Sequence, residues 1–407
     1  MTVDGPVVGV VGTGVAGLQS ANAVLERNPD ARIVIFGDET HRTYNRPGLT
    51  KKRYQLLGTS GTTIADELKV DGAASDSATW RLGTRVESAD LYNKVLQLRT
   101  GETFDYDSLV IATGVRPRIS AEDARECAIH VHKTLRDLDD AHHIHRELRT
   151  GTELTIVGSG FVACELASLA TEYGCAVVML EARRGGPFER VLGERIATAL
   201  GRWMTRNGVT FLTGDSARDR LCNGDSSAHS ELSSDRSLLV EAIGSVPNVE
   251  WLHGNGLDLS DGVRVDGHMR VPECADVYAA GDVARYPDPW TAESLTRREF
   301  WKNAIDTGDL AGRSLASSLG CGSKISHIRY FPLMTTEVFG LRIQIAGNPK
   351  AATSMEVVRG DLDRLAHGVV VTFSKEDLLV GVAYLDKGAR LNSIYIDLVK
   401  TLKAHRR

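Results

Sequence analysis

Two glycine-rich segments, each set between an apolar run and a helix-forming run, constrain this chain more than any other feature. The first is VVGVVGTGVAGLQSANAVLE at 7–26, and the second is LTIVGSGFVACELASLA at 154–170. Another apolar run follows each of them, ARIVIF after the first and AVVML after the second. Runs of this length and spacing indicate strand, turn, helix and strand. Because such a unit implies a parallel sheet, the sequence predicts an α/β protein with two Rossmann-like domains.

The glycines of these turns have separate physical tasks. The first permits the tight turn, the second lets the backbone approach a pyrophosphate, and the third lets the helix pack on the strand. Gly12, Gly14 and Gly17 match these tasks in the first copy, and Gly158 and Gly160 match the first two in the second. The pyrophosphate of a dinucleotide then lies at a helix N-terminus, where free N–H groups attract anions.

An acidic residue follows each turn at the distance that a ribose contact requires. Asp38 and Glu39 come after the strand ARIVIF, and Glu181 ends the strand AVVML. A carboxylate about 20 residues beyond the glycines binds the ribose hydroxyls of a dinucleotide. Two complete units predict two dinucleotides, a bound flavin and a diffusible nicotinamide.

Composition narrows the function classes further. The 407 residues carry a net charge of −5, which does not favour a nucleic-acid partner. No apolar run approaches the ~20 residues of a membrane span, and the N-terminus lacks a secretory pattern, so we expect a cytoplasmic protein without a membrane partner. The six cysteines form no CxxC pair and have no metal-ligand spacing with histidine. We therefore predict no metal site and no local disulfide mechanism.

Further ordered motifs follow the first glycine turn. They are YNRPGLTK at 44–51, IATGVRPR at 111–118, the second glycine turn with Glu165, AIGSVPN at 242–248, VYAAGD at 277–282 and RREFWKNA at 297–304. In this order they resemble the FAD-dependent pyridine nucleotide oxidoreductase family, in its ferredoxin-reductase branch. That branch includes putidaredoxin reductase, the reductases of aromatic dioxygenases and apoptosis-inducing factor. The resemblance covers almost the whole chain.

The resemblance implies a domain plan. Residues 1–119 and 245–323 are expected to form a discontinuous FAD-binding domain, 120–244 an NAD(P)H-binding domain, and 324–407 a C-terminal α+β domain. It also implies the FAD-binding residues, which are Gly12, Gly14, Ala16, Gly17, Asp38, Glu39, Arg46, Lys51, Val86, Ala112, Thr113, Gly114, Arg118, Gly281, Asp282 and Trp301. Val283 is expected to begin a helix directed at the flavin.

Three residues are implied to act at the flavin ring. The resemblance pairs Lys51 with Glu165, which orients the nicotinamide carboxamide, and places Trp301 beside the isoalloxazine. The implied NAD(P)-binding residues are Gly158, Gly160, Phe161, Val162, Glu165, Glu181, Ala242, Ile243 and Gly244.

The choice between NADH and NADPH depends on Glu181. A carboxylate at the adenosine ribose repels a 2′-phosphate and favours NADH. Ala163 at the sixth motif position, together with Arg183 and Arg184 just beyond, favours NADPH, because arginines can clamp a phosphate. We expect the direct repulsion at the ribose to dominate, with NADPH as the alternative.

The electron acceptor is less constrained. The family's aromatic-rich segment resembling FWTDQ is replaced here by 332–340, in which Thr335 stands in place of the tryptophan. This change opens space beside the flavin, where His41 is a candidate proton donor. Three functions follow: NADH-dependent reduction of an iron–sulfur ferredoxin, which we favour, direct reaction with a small organic molecule, or a slow redox-sensing NADH-binding module.

Overall fold

The computed structural model describes residues 5–51, 64–120, 132–183, 185–223, 237–288, 294–321, 325, 331–388 and 390–404. The chain divides into two compact units. The first unit comprises Met1–Asn45, Ala65–Arg116 and Ser245–Tyr330, and the second comprises Arg46–Ile64, Pro117–Gly244 and Phe331–Arg407. The domain plan implied by the resemblance stays a prediction.

The strands in chain order are β1 (Val7–Val11), β2 (Arg32–Phe36), β3 (Thr79–Arg81), β4 (Val86–Asp90), β5 (Val95–Leu98), β6 (Thr103–Asp105), β7 (Ser108–Ile111), β8 (Val115–Pro117), β9 (His132–Lys133), β10 (Glu153–Val157), β11 (Ala176–Glu181), β12 (Val209–Thr213), β13 (Ser237–Glu241), β14 (Ser245–Pro247), β15 (Val263–Arg264), β16 (Val277–Ala279), β17 (Ala284–Pro287), β18 (Leu295–Arg297), β19 (Leu333–Val338), β20 (Leu341–Gly347), β21 (Ser354–Arg359), β22 (Val369–Lys375) and β23 (Leu378–Lys387).

The helices are α1 (Val15–Leu25), α2 (Ile64–Leu68), α3 (Ala73–Ser77), α4 (Leu138–Glu147), α5 (Phe161–Glu172), α6 (Glu189–Leu192), α7 (Glu194–Arg206), α8 (Gly214–Asn223), α9 (Trp301–Ser318) and α10 (Ser393–Ala404). Short 3₁₀ turns include Arg46–Thr50 and Gly281–Val283. None of the helices in the described part of the chain has the length and apolar character needed to span a membrane.

A parallel sheet forms the centre of the first unit, with strand order β16-β7-β1-β2-β3. Its strands are rich in buried β-branched residues, as strands covered on both faces are. The antiparallel strands β4-β5-β6 form a separate small sheet, as do β15-β17-β18. The parallel order places the carboxyl ends of β1, β2, β7 and β16 at one edge.

Helix α1 packs against α9 at very short range. A Cβ atom on Gly308 would lie 2.5 Å from the Ala16 carbonyl oxygen, and one on Gly312 would lie 2.2 Å from that of Ser20. Glycines four residues apart therefore let the two helix backbones approach each other. This contact fixes the start of α1 against α9, and both elements carry predicted FAD-binding residues.

The second unit repeats this plan. Its parallel sheet has strand order β12-β11-β10-β13-β9, so β10 corresponds to β1 and α5 to α1. An antiparallel sheet of order β19-β20-β23-β22-β21 also belongs to this unit. The indole N–H of Trp203 in α7 donates to the carbonyl of Val338 at 3.2 Å and ties this sheet to the helix. The two parallel sheets confirm the predicted α/β class with two Rossmann-like folds.

The expectation that Val283 begins a helix is wrong. Gly281–Val283 is a single 3₁₀ turn, and the chain continues directly into β17, which pairs with β15 and β18. Val283 is fully buried. Pairing with two neighbouring strands takes up the backbone hydrogen bonds that a helix would have used.

Candidate functional site

The predicted FAD-binding residues of the first unit lie after strands that end at the same sheet edge. The glycine turn 12–17 follows β1, the acidic pair follows β2, 112–114 follow β7, and the Gly281–Val283 turn follows β16. Ligands of open parallel sheets bind at this carboxyl edge. Backbone hydrogen bonds join the segments, from Gly12 N to Phe36 O and from Ala112 N to Val11 O, both at 2.8 Å.

The structure separates the tasks of the first and second glycines. Gly12 has φ +126°, and a Cβ there would lie 2.1 Å from the Ala112 carbonyl oxygen, so the fold itself requires glycine. Gly14 has φ −70°, which any residue adopts, and a Cβ there would meet no atom of the described residues within 4 Å. The open space at Gly14 leaves room for a ligand to approach the backbone.

Helix α1 begins directly after Gly14, beside this open space. Its N-cap residue is Gly14 itself, which has no side chain that could accept from the first N–H groups. The N–H groups of a helix start need acceptors, and a phosphate at this position supplies them. The open space and this helix start together fit the pyrophosphate of a dinucleotide.

The acidic pair after β2 is already fixed by neighbours. The Asp38 carboxylate accepts from Arg85 Nη1 at 3.2 Å, and the Glu39 carboxylate accepts from the Tyr44 hydroxyl at 2.7 Å. Asp38 is exposed and Glu39 is half-buried. Val86, the predicted adenine contact, is buried at the start of β4.

Asn248 positions the 112–114 segment and was not assigned a role from the sequence. Its amide donates to the Thr113 carbonyl at 2.9 Å, and its backbone N–H donates to the Gly114 carbonyl at 3.0 Å. In return the Thr113 hydroxyl donates to the Asn248 carbonyl at 2.8 Å. The asparagine of the AIGSVPN motif therefore acts on the distant ATG motif, a contact that no local pattern reveals.

A buried hydrogen-bond chain supports the Gly281–Val283 turn. Gly281 N donates to the Thr307 hydroxyl at 2.9 Å, and that hydroxyl donates to the Asn303 carbonyl at 2.6 Å. The Asn303 side chain accepts from the Tyr286 hydroxyl at 2.6 Å and donates to the Arg298 carbonyl at 2.7 Å. Helix α9 begins at Trp301, the predicted flavin contact. This series of hydrogen bonds therefore links the turn that carries Asp282 to the start of α9.

Thr307→Val is expected to lower the free energy of unfolding by about 1–3 kcal/mol, because it leaves the buried Gly281 N–H without an acceptor. Thr307→Ser keeps the hydroxyl and is expected to retain most of that stability. Urea unfolding of both variants, followed by circular dichroism, measures the difference. Equal stability of the valine and serine variants would show that the hydroxyl contributes nothing.

The second unit repeats this arrangement at its own glycine turn. Gly158 has φ +115°, and a Cβ there would lie 2.4 Å from the Ala242 carbonyl oxygen. Gly160 has φ −79°, and a Cβ there would meet no described atom within 4 Å. The N-cap residue of α5 is Gly160, which has no side chain that could accept from the first N–H groups. Ala242, Ile243 and Gly244 follow β13 at the same edge.

Glu181 ends β11 and is held in place by two donors. Its Oε2 accepts from the Ser159 hydroxyl at 2.5 Å, and its Oε1 accepts from the Arg183 backbone N–H at 3.2 Å. Arg184 lies outside the described residues. The ring of Phe161 packs against that of Phe188 in a tilted arrangement, with the centroids 4.7 Å apart. The side chain of Val162 is exposed.

Lys51 and Glu165 lie together, as the resemblance implies. Lys51 Nζ is 3.7 Å from Glu165 Oε1. Lys51 directly follows the turn Arg46–Thr50, which is fixed by a hydrogen bond of 2.6 Å from Arg46 Nη1 to the Arg136 carbonyl. Glu165 lies on α5 and is buried. A pair with one buried partner serves to fix geometry more than to add stability.

His145 fixes the same turn from α4. Its Nε2 lies 3.1 Å from the Leu49 carbonyl, which can only accept, so Nε2 donates. Its Nδ1 lies 3.1 Å from the Tyr173 hydroxyl and accepts from it in the neutral ring. Burial lowers the pKa of His145, which keeps the ring neutral at pH 7. Sequence reasoning missed this contact because Leu49 and His145 are far apart in the chain.

Cys164 lies beside Glu165 but is not a redox group. It is fully buried, and desolvation together with the Glu165 and Glu181 carboxylates raises the pKa of its thiol well above the usual range. Cys175, Cys274 and Cys321 also carry free thiols. Because a thiolate is the reactive form, Cys164 is unsuited to disulfide exchange.

Three predicted residues remain, namely Arg118, His41 and Thr335. Arg118 is exposed, and its backbone N–H donates to the Gly244 carbonyl at 2.9 Å. His41 is half-buried in the first unit. Thr335 is exposed on β19, opposite Gln344 of β20.

Comparison with known proteins shows which family this chain resembles in sequence. The model of the pyridine nucleotide-disulphide oxidoreductase family matches residues 7–308. The biphenyl dioxygenase system ferredoxin–NAD(+) reductase component of Paraburkholderia xenovorans is 30% identical, over 98% of this chain and 98% of that protein. The chlorobenzene dioxygenase ferredoxin reductase component of a Cupriavidus species is 31% identical, over 87% of this chain and 83% of that protein.

Among solved structures, putidaredoxin reductase in its covalent complex with putidaredoxin aligns with a TM-score of 0.79. The alignment covers 97% of this chain and 93% of that chain, at 22% sequence identity. At 22% identity, this structural likeness supports the fold alone.

Proposed function

We propose that this chain, which belongs to the pyridine nucleotide-disulphide oxidoreductase family, is an FAD-dependent reductase that transfers electrons from NADH to the ferredoxin of an oxygenase system. The family match over residues 7–308 confirms the predicted resemblance. The observation that carries the proposal is the pair of equivalent open spaces, at Gly14 and at Gly160, each at a helix start whose N-cap residue is glycine. One space accounts for the bound flavin and the other for the diffusible donor.

When bound, FAD would supply the redox chemistry, namely hydride acceptance from NADH and transfer of the two electrons singly to two ferredoxin molecules with release of one proton. The chain's residues bind and orient. We assign FAD to Gly12, Gly14, Ala16, Gly17, Asp38, Glu39, Val86, Ala112, Thr113, Gly114, Gly281, Asp282 and Trp301, together with Arg46, Lys51 and Arg118. All of them lie within the predicted FAD-binding ranges 1–119 and 245–323.

We assign NADH to Gly158, Gly160, Phe161, Val162, Glu181, Ala242, Ile243 and Gly244, within the predicted domain 120–244. Glu165 and Lys51 are proposed to hold the nicotinamide carboxamide, since a carboxylate and an ammonium together match its amide N–H and carbonyl groups. We infer that the protein works in the cytoplasm, where NADH is available.

Glu181→Ala is expected to relax the preference for NADH. The Ser159 hydroxyl and the Arg183 N–H fix the carboxylate, so that its charge repels a 2′-phosphate. Its removal should raise kcat/KM for NADPH about tenfold, or about 1.4 kcal/mol. Steady-state kinetics with both nucleotides measure this, with Glu147→Ala, an exposed glutamate at the end of α4, as the control. A parent protein that uses both donors equally would contradict the assignment.

The ferredoxin acceptor rests on the relatives. Two proteins at 30% and 31% identity are named as reductase components of dioxygenase systems. Direct reaction with a small molecule is the second candidate, because Thr335 replaces the family's tryptophan and is exposed. The redox-sensing module is the third.

Reduction of cytochrome c by NADH separates these functions. The ferredoxin of the biphenyl dioxygenase system and putidaredoxin serve as probes, each added at increasing concentration. We expect cytochrome c reduction that rises with ferredoxin and is slow without it. Fast turnover of a small organic acceptor without ferredoxin would support the second function. Slow turnover with a long-lived complex of reduced protein and NAD⁺ would support the third.

A further inference from the structure

The Glu165 carboxylate is held by more than its partner Lys51. The hydroxyl of Thr336 bonds to Oε1 at 2.5 Å, and the hydroxyl of Thr50 bonds to Oε2. Each oxygen of the carboxylate therefore has its own hydroxyl partner. All four residues belong to the second unit, but they come from three segments that are distant in the chain.

A buried carboxylate needs such partners. Glu165 retains only 8% of its exposure, and removal of an ionised carboxylate from water costs several kcal/mol unless hydrogen bonds and a counter-charge compensate. Hydrogen bonds to a charged group are short and directional. Two hydroxyl donors on opposite oxygens therefore fix the plane of the carboxylate.

The register of β19 selects which threonine reaches Glu165. Neighbouring residues of a strand face opposite sides of the sheet. Thr335 is exposed, whereas Thr336 retains 2% of its exposure and pairs with Ile343 of β20. A shift of one residue would exchange the two side chains.

The end of β19 is tied to helices at two further points. The Phe339 N–H donates to the Ser168 hydroxyl on α5 at 2.8 Å, and Trp203 donates to the Val338 carbonyl. Ser168 lies one helical turn after Glu165 on α5. The strand that presents Thr336 therefore has a fixed position along the helix that presents Glu165.

We propose that Thr336, with Thr50 on the opposite oxygen, is a positioning residue that sets the orientation of the Glu165 carboxylate for the nicotinamide carboxamide. The proposal rests on the proposed function, in which Glu165 contacts the nicotinamide. It assigns the C-terminal antiparallel sheet a part in hydride transfer. Thr336 acts through Glu165 and does not itself contact a cofactor.

Thr336→Val removes the hydroxyl at nearly constant volume, and Thr336→Ser retains it. Stopped-flow reduction of the bound flavin at increasing NADH gives the limiting rate and the NADH dissociation constant separately. We expect the valine variant to lose about tenfold in the limiting rate, with a change in the dissociation constant below about threefold. The serine variant should stay within about twofold of the parent. Thr372→Val, a buried threonine on β22 of the same sheet, is the control and should leave both values unchanged.

Thr50→Val provides an independent variant for the other oxygen, and the double variant tests the coupling. Residues that act through one carboxylate give non-additive losses, so the double variant should lose less than the product of the single losses. Parent-like rates in Thr336→Val, rates in Thr336→Ser as slow as in the valine variant, or strictly additive losses would overturn the proposal. If NADH fails to reduce the flavin of the parent protein itself, the proposed function fails and this inference fails with it.

Discussion

Gly160→Val is expected to abolish NADH oxidation while the flavin stays bound. The backbone at Gly160 has φ −79°, so valine adopts it without strain, and its Cβ enters space that the described residues leave open. We assign that space to the NADH pyrophosphate. We expect kcat/KM for NADH to fall at least on the order of 100-fold, or about 2.7 kcal/mol.

Steady-state kinetics and the visible flavin spectrum of the purified variant measure both parts of this prediction. Gly201→Ala is the control, because Gly201 lies on helix α7, where an added Cβ would come no closer than 3.8 Å to Pro187 Cδ. Unchanged NADH kinetics in Gly160→Val would contradict the placement of NADH at this turn.

Gly14→Val is expected to yield a folded protein that does not retain FAD. The backbone at Gly14 has φ −70°, and again no atom of the described chain lies within 4 Å of the added Cβ. Because the fold does not need glycine at this position, circular dichroism should match the parent. Flavin content after purification should fall below about one tenth, since a branched side chain would occupy the pyrophosphate position.

The two variants control each other. Gly14→Val should still bind NADH in a calorimetric titration, because its second glycine turn is unchanged, whereas Gly160→Val should still be yellow. Gly12→Val differs from both, because its Cβ would lie 2.1 Å from a backbone carbonyl, and it should reduce the yield of folded protein. A Gly14→Val protein that retains stoichiometric FAD would contradict the assignment.

The sequence predicts the parts of this protein that local patterns determine. In each unit a strand, a glycine turn and a helix are contiguous, so short segments locate the turns at Gly12 and Gly158 and the two parallel sheets. They also locate the acidic residues after the second strand of each unit. The pairing of Lys51 with Glu165 came from family resemblance, and the two side chains lie 3.7 Å apart.

Contacts between distant segments could not be predicted in this way. Thr336 is 171 residues from Glu165, and Asn248 is 135 residues from Thr113, so only the tertiary fold brings each pair together. The helix that the resemblance implied at Val283 is absent, because the following residues form β17, which pairs with strands on both sides. Positioning residues of this kind carry no motif of their own.

The family name refers to a disulfide, but the proposed chemistry of this chain does not use one. The Cys164 thiol lies nearest the second glycine turn, and burial and two carboxylates raise its pKa. We therefore expect electrons to pass from NADH to FAD to the acceptor without a cysteine relay.

Anaerobic titration of the purified protein with NADH, followed by its visible flavin absorbance, tests the proposed electron transfer most directly. We expect a yellow protein with one FAD per chain, which loses its colour on addition of one equivalent of NADH and regains it when oxidised ferredoxin is added. A protein that stays colourless after reconstitution with FAD, or whose flavin NADH does not reduce, would contradict the proposed function.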